Sequence, residues 1–321
     1  MRAVQVSKLD GPEAIEVVDL PEPTGHGVVI DVEAAGVAFP DALMSRGLYQ
    51  IRPELPFVLG SELAGVVRSA PEGSPLSPGD RVAALTGAGS AMAEVVIAAP
   101  EQVFALPDVF GPTTGAGVVF NDLTVDFALR ERGRLAHGET VLVHGAAGGI
   151  GTSVLRMAAA LGAARVIAVV SSEAKAQRAR EAGATDVVLV DNWLTEVRAL
   201  TEGKGVDVII DPVGGDRFTD SLRSLARGGR LVVVGFTGGD IPTVKVNRLL
   251  LKNIEVVGAG WGEYILGVPG YLQEQWARLV PLYESGAIAL PTITEFPVER
   301  AAEAVASLEN RTATGKVVLT F

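Results

Sequence analysis

The sequence contains no cysteine, and this absence excludes several kinds of chemistry at once. Disulfide bonds, thiolate catalysis and cysteine-ligated zinc all need a residue that the chain does not have. Histidine is also scarce, because only His26, His137 and His144 are present. Even the nearest two, His137 and His144, form neither an HxxH nor an HxxxH pair. We therefore predict that the chain holds no metal ion.

Long apolar runs and an excess of basic residues are missing as well. No apolar run approaches the length that a bilayer-spanning helix needs, and the first residues lack the apolar core of a signal peptide. The net charge of −11 disfavours a nucleic-acid partner, which requires a basic surface. We expect a cytoplasmic protein that binds a small molecule and neither membranes nor nucleic acid.

The 321 residues, 48% of them hydrophobic, are enough for one large or two medium domains with an ample core. Roughly the first hundred residues hold short apolar runs separated by turn clusters, a pattern that predicts a small barrel or a pair of sheets. From about residue 115 apolar strands alternate with helices. This alternation predicts an α/β fold, a doubly wound parallel sheet with helices on both faces.

The most informative segment, residues 141–151, reads VLVHGAAGGIG. A strand, a glycine-rich turn and a helix in this order open a dinucleotide-binding unit, although the first glycine of the G-x-G-x-x-G fingerprint falls on Ala146. An ordinary strand-to-helix turn is the alternative. The strands and helices that alternate further along the chain favour a dinucleotide-binding turn. The predicted pyrophosphate contacts are Ala147, Gly148, Gly149, Ile150 and Gly151.

The end of the next predicted strand favours NADPH over NADH. An NAD site usually places a carboxylate there, whereas this chain has Ser171 and Ser172, followed by Lys175 and Arg178. Hydroxyls and cations suit a 2′-phosphate. Glu173 is evidence against this choice unless it caps the following helix, and Lys175 could instead be a solvated helix charge.

A further predicted strand, residues 254–258, would extend the sheet at its edge. An unprotected edge strand favours pairing with a second copy, so we predict a homodimer. A capped edge in a monomer is the alternative. Residues 261–269 are predicted to form a loop.

A series of short motifs spans nearly the whole chain in a fixed order. They occupy residues 35–41 (AGVAFPD), 46–50 (RGLYQ), 55–65 (LPFVLGSELAG), 78–82 (PGDRV), the glycine turn, 211–215 (DPVGG), 229–231 (GRL), 234–236 (VGF), 251–253 (LKN) and 315–318 (GKVV). Together they resemble the zinc-free medium-chain dehydrogenases/reductases of the quinone oxidoreductase type.

This resemblance implies a GroES-like β-barrel catalytic domain made of residues 1–117 and 259–321. It implies an NADPH-binding Rossmann domain of residues 118–258, with the active site in the cleft. Zinc-dependent relatives carry a cysteine near Asp41 and a histidine after Gly60, where this chain has Phe39-Pro40 and Ser61. Alcohol oxidation of the zinc type is therefore not expected.

The resemblance also implies roles for individual residues. Thr124 would lie near the nicotinamide, Val213, Gly235 and Phe236 would pack along the cofactor, and Lys316 would approach it from the last strand. Tyr49 and Asp41 would line the hydride site as the catalytic pair. Tyr49 could instead be a packing residue, and Asp41 could instead be the N-cap of a short helix at residues 42–47.

One departure from the family pattern concerns the segment Val37-Ala38-Phe39. The family usually has asparagine at the middle position, near nicotinamide and substrate, and Ala38 cannot form that hydrogen bond. The predicted function is NADPH-dependent hydride transfer to a quinone or an α,β-unsaturated carbonyl. An enoyl-thioester reductase and a low-turnover NADPH-binding structural or regulatory protein remain as alternatives.

Overall fold

A computed structural model describes residues 1–87 and 89–321 of the chain. This part of the chain divides into two compact units. Unit 1 comprises Met1–Phe120, Gly270–Glu284 and Leu290–Phe321, and unit 2 comprises Asn121–Pro269 and Ser285–Ala289. The domain boundaries expected from the resemblance, at 117/118 and 258/259, stay a prediction; the first lies near a limit of these units, whereas the second lies well before Pro269.

The strands alternate with helices only in the central part of the chain. The strands are β1 (Arg2–Val6), β2 (Ile15–Asp19), β3 (Val28–Val37), β4 (Phe57–Val58), β5 (Glu62–Ser69), β6 (Arg81–Leu85), β7 (Val95–Ala98), β8 (Val103–Ala105), β9 (Thr140–His144), β10 (Arg165–Val170), β11 (Asp186–Leu189), β12 (Val206–Asp211), β13 (Leu225–Val233), β14 (Glu255–Gly258), β15 (Ile293–Pro297) and β16 (Lys316–Thr320).

Most helices lie in unit 2. The α-helices are α1 (Phe39–Ser45), α2 (Pro112–Gly115), α3 (Val119–Asp126), α4 (Gly149–Ala158), α5 (Glu173–Glu181), α6 (Trp193–Leu200), α7 (Phe218–Ser224), α8 (Asn247–Lys252), α9 (Trp261–Gly267), α10 (Tyr271–Glu284) and α11 (Ala301–Glu309). A π-helical stretch, Phe127–Arg132, continues α3, and short 3₁₀ turns occupy Pro12–Ala14, Pro100–Gln102, Gly215–Arg217 and Val298–Arg300.

Unit 1 is a β-structure built from both ends of the chain. Its larger sheet has the order β15-β16-β3-β5-β6-β8, with β7 also paired to β3, and a smaller sheet has the order β2-β1-β4. The last strand, β16, runs antiparallel to β3. The long strand β3 holds this arrangement together, because three different strands pair with it.

Unit 2 contains a parallel sheet with the strand order β11-β10-β9-β12-β13-β14. Counted within the unit this is the order 3-2-1-4-5-6 of a Rossmann fold, so the predicted doubly wound sheet is confirmed. The order reverses between β9 and β12, and in such sheets ligands bind at the carboxyl ends of the strands beside this switch point.

Two local predictions are wrong. The helix expected at residues 42–47 begins earlier, at Phe39, and its N-cap is Ala38, so Asp41 is the third helical residue rather than the cap. Proline at the second helical position explains the early start, since it fits the first turn of a helix. The loop expected at residues 261–269 contains α9.

Among the described residues, no helix is long and apolar enough to cross a membrane.

Candidate cofactor and active site

The glycine turn of unit 2 begins one residue earlier than the fingerprint suggests. Gly145 follows β9 and has a φ of +59°, a backbone conformation that residues other than glycine rarely adopt. The Gly148 N–H donates to the Gly145 carbonyl at 3.0 Å and closes the turn. Gly145 therefore supplies the tight turn, which explains why alanine is tolerated at position 146.

Gly148 and Gly151, at the start of α4, are glycine for different reasons. A Cβ at Gly151 would lie 2.3 Å from the Gly145 carbonyl oxygen, so this residue lets the helix pack directly on the turn. A Cβ at Gly148 would meet only that oxygen, at 3.4 Å, and its φ of −83° suits any residue. The space over Gly148 is therefore open to a ligand, as a pyrophosphate at a helix N-terminus requires.

Helix α3 covers the first turn of α4. A Cβ at Gly149 would lie 2.5 Å from the Asn121 amide nitrogen, so the glycine leaves room for this side chain. Asn121 is 7% exposed. An amide beside a helix N-terminus can bind an anionic or carbonyl group, so Asn121 joins the residues that could hold a cofactor.

A buried ion pair fixes α3 against α4. Arg156 donates to both carboxylate oxygens of Asp122, at 2.6 and 2.8 Å, and to the Ala289 carbonyl at 2.7 Å. The Ser153 hydroxyl donates to the same carboxylate. Because Thr124 lies one helical half-turn further along α3 and is 7% exposed, this pair also sets its position.

The residues predicted to bind the 2′-phosphate follow β10, at the carboxyl edge of the sheet. Strand β10 ends beside β9, with Val169 opposite His144, so Ser171 follows next to the glycine turn. Ser172 is the N-cap of α5, and its hydroxyl accepts from the Lys175 N–H at 3.4 Å. Arg178 forms an exposed ion pair with Glu181 at 3.2 Å.

Val213, Gly235 and Phe236 come together on the other side of the glycine turn. The chain after β12 pairs with the chain after β13, because Thr237 N donates to the Pro212 carbonyl and Gly238 N donates to the Val213 carbonyl. The Val213 side chain lies 3.0 Å from the position of a Cβ at Gly145. The structure thus brings the predicted pyrophosphate and ribose contacts of unit 2 to one sheet edge.

In unit 1, Asp41 is 1% exposed and ties two segments of the chain together. Its Oδ2 accepts from the Ala38 N–H at 2.8 Å, and its Oδ1 accepts from the Gly60 N–H at 3.1 Å. Burial raises the pKa of Asp41 to about 6, although both hydrogen bonds and the charge of Lys316 act to lower it. The catalytic role assigned to Asp41 stays a prediction.

Lys316 lies in a buried network within unit 1. Its Nζ donates to Glu62 and, at 3.0 Å, to the Val37 carbonyl, and it is 3% exposed. The other oxygen of Glu62 accepts from the Phe120 N–H at 2.8 Å. The cofactor contact assigned to Lys316 stays a prediction. Tyr49 is half-buried and packs against an apolar cluster that includes Ala42 and Val298.

Sequence reasoning missed Gly145, Asn121, Glu62 and the Asp122–Arg156 pair. Gly145 had a signal, since it directly follows the predicted strand. The others had none, because each acts through a partner far away in the sequence.

Within residues 1–87 and 89–321, no group of three or more His, Cys, Asp or Glu side chains is placed to hold a metal ion.

Comparisons with known proteins agree with this architecture. A family described as zinc-binding dehydrogenase matches residues 149–285, and one described as alcohol dehydrogenase GroES-like domain matches residues 24–108. Quinone oxidoreductase-like protein 2 of Rattus norvegicus is 37% identical, over 100% of this chain and 92% of its own length. The quinone oxidoreductase of Pseudomonas aeruginosa is 36% identical over 99% of each.

A solved structure extends the likeness to the fold. The crystal structure of Escherichia coli quinone oxidoreductase complexed with NADPH superposes with a TM-score of 0.91, at 30% identity, over 100% of both chains. The sheet order, the glycine turn and these matches define a medium-chain dehydrogenase/reductase. The chain belongs to the quinone oxidoreductase family and is an oxidoreductase of that family.

The raised pKa of Asp41 predicts a specific pH dependence of stability. The carboxyl group of Asp41 holds its proton more tightly in the folded protein than in the unfolded chain. Asp41 therefore stabilises the fold fully below its ordinary pKa of 3.8, and this contribution is lost as the pH rises to about 6. Between pH 4 and 7 we expect wild type to lose about 2 kcal/mol of unfolding free energy relative to Asp41→Asn.

Urea unfolding of both proteins across this pH range measures the difference. Asp108→Asn is the control, because the Asp108 side chain is fully exposed. A difference between wild type and Asp41→Asn that does not change with pH would contradict the prediction.

Proposed function

We propose that this chain is an NADPH-dependent oxidoreductase that transfers a hydride to a quinone or an α,β-unsaturated carbonyl without zinc. The observation that carries the proposal is the open backbone over Gly148 at the N-terminus of α4, beside a strand end that offers Ser171 and Lys175. The two quinone oxidoreductase relatives and the NADPH complex of the Escherichia coli enzyme support it. The catalytic domain would comprise residues 1–117 and 259–321.

Residues of unit 2 would bind the cofactor. Backbone N–H groups of the turn from Ala147 to Gly151 would hold the pyrophosphate, with Ile150 beside it. Ser171, Ser172, Lys175 and Arg178 would hold the 2′-phosphate, which requires Arg178 to leave Glu181. Thr124, Val213, Gly235 and Phe236 would contact the ribose and nicotinamide. Bound NADPH supplies the hydride.

The protein needs little acid–base chemistry for a quinone acceptor. The reduced quinone oxygen can take its proton from water, so positioning is the main requirement. An enone needs a donor at its carbonyl oxygen, and we assign this role to the hydroxyl of Tyr49. Asp41 would hold Ala38 and Gly60 in place, through the hydrogen bonds described above.

Ala38 favours a second candidate function. The family asparagine at this position is absent, and a chain that binds NADPH with little turnover would tolerate the loss. Tight NADPH binding without oxidation by quinones, enones or enoyl thioesters would support this structural or regulatory role over the enzyme.

The enzyme is tested by the loss of NADPH absorbance with 1,4-benzoquinone in the presence of a chelator. We expect turnover that prefers NADPH to NADH and does not depend on the chelator. Lys175→Ala should raise KM for NADPH about tenfold and leave KM for NADH unchanged, because a charge-assisted bond to phosphate is lost. Lys204→Ala is the control, since Lys204 is exposed and pairs with Glu202. An equal effect of Lys175→Ala on both cofactors would refute the assignment.

The pyrophosphate position is tested by Gly148→Ala. The new methyl group meets no protein atom closer than 3.4 Å, so the thermal unfolding midpoint should not change. It would occupy the space proposed for the pyrophosphate, and the Kd for NADPH should rise at least about tenfold. Gly260→Ala is a matched control at the N-cap of α9, where a Cβ meets nothing within 4 Å. An unchanged affinity of Gly148→Ala for NADPH would contradict the proposed position of the pyrophosphate.

We also propose that the active form is a homodimer. Strand β14 is the outermost strand on one side of the described sheet. Helix α8 directly precedes β14 in the chain and carries Leu250 and Leu251, which are 75% and 76% exposed, after the similarly exposed Val246. A second copy that pairs along β14 would cover these side chains and the strand edge. The cytoplasmic location stays a prediction.

Light scattering after size exclusion tests the dimer. Leu250→Asp should shift the protein from dimer to monomer, because it places a charge in an apolar interface. Leu189→Asp on β11, the strand at the opposite end of the same sheet, should leave the mass unchanged. A monomeric wild type, or a Leu250→Asp variant that remains dimeric, would contradict the proposal.

A further inference from the structure

Two neighbouring strands of unit 2 end in buried polar side chains that the proposed reaction does not use. His144 is the last residue of β9, and Asp211 is the last residue of β12. Val143 lies opposite Ile210 in the parallel pair, so the next residues of both strands lie side by side. Their exposures are 0% and 1%. Both are therefore out of reach of bulk water.

The hydrogen bonds around His144 favour one position for its ring proton. The Ser221 hydroxyl donates its single hydrogen to the Arg217 carbonyl at 3.0 Å. With that hydrogen donated to the carbonyl, the hydroxyl oxygen accepts from Nε2 of His144, which lies 2.8 Å away, and we assign the Nε2–H tautomer on this basis. In a neutral ring this leaves Nδ1 as a bare acceptor, and among the described residues Nδ1 has no hydrogen-bond partner.

The groups around the ring favour its neutral form. Burial lowers the pKa of His144 to about 4, and the charge of Arg217 acts in the same direction, against the opposing charge of Asp211. Trp193 on α6 packs edge-on against the ring, with centroids 4.9 Å apart. The ring is thus held in one orientation, with Nδ1 a lone-pair acceptor.

Only one of the two carboxylate oxygens of Asp211 accepts hydrogen bonds from the described part of the chain. Its Oδ1 accepts from the N–H groups of Val213 and Gly214, both at 2.9 Å, which fixes the orientation of the carboxylate. Its Oδ2 is buried and has no partner in the described part of the chain. Two adjacent strand ends therefore present two buried acceptors and no donor.

We propose that a buried water molecule occupies this place and donates one hydrogen to Nδ1 of His144 and the other to Oδ2 of Asp211. A buried acceptor without a partner loses its hydrogen bonds to water and gains none in return, and internal waters characteristically bridge such groups. Water is the smallest molecule with two donors. A direct bond between the two side chains does not take its place, because neither atom has a partner in the protein.

The water would connect two strand ends that border the proposed cofactor site, and through His144 it would connect them to Ser221. His144 precedes Gly145 of the glycine turn, Asp211 holds the turn that carries Val213, and Ser221 lies on α7. The site is independent of NADPH and of any substrate, so its test does not depend on the proposed function.

Side-chain nitrogen NMR of the wild-type protein tests the proton assignment. Only three histidines need to be distinguished. We expect His144 to carry its proton on Nε2 and to remain about nine-tenths neutral at pH 5. A proton on Nδ1, in either the neutral or the charged ring, would overturn the proposal, because Nδ1 could then not accept from water.

Crystal structures of two variants test the water itself. The wild type should show a water within about 2.7–3.2 Å of both atoms. His144→Asn keeps an acceptor near the position of Nδ1 and should keep the water. His144→Gln keeps a donor near the position of Nε2 but loses the acceptor, and its water should be lost or markedly less occupied. An empty space in wild type, an ammonium or metal ion there, or the reverse behaviour of the variants would overturn the proposal.

Discussion

The close approach of α4 to the turn before it is the constraint on which unit 2 depends. Gly151 brings the helix within van der Waals reach of the Gly145 carbonyl, and Gly145 in turn needs a positive φ. With this contact in place, the N-terminus of α4 points to the carboxyl edge of the sheet. The strand ends on either side then present Ser171 and Val213 to the same region. A side chain at either glycine would displace all of these groups together.

Unit 1 is organised by buried charge rather than by a backbone turn. Asp41 fixes Ala38 and Gly60, and the Lys316–Glu62 pair joins β16, β3, β5 and the start of α3. Buried ion pairs contribute little net stability, but removal of one partner is costly because the other charge remains. Such a network therefore specifies a geometry more than it strengthens the fold.

The sequence was sufficient for the parallel sheet, because its buried strands are continuous apolar runs and its turns are marked by glycine. It was insufficient where distant residues decide the outcome. The alternative role of Asp41, as the N-cap of a helix at residues 42–47, is wrong, because Pro40 starts α1 earlier and the carboxylate reaches back to Ala38. The 261–269 segment was expected to be a loop, but Trp261 is buried at the start of α9, which glycine-rich composition concealed.

The contact between Gly149 and Asn121 links two positions that are 28 residues apart in the chain. Any side chain at 149 would push directly against the amide at 121. The two positions are therefore sterically coupled. A chain with alanine or serine at 149 must carry a smaller or reoriented side chain at 121, so the shape of the first turn of α4 is set in part from α3.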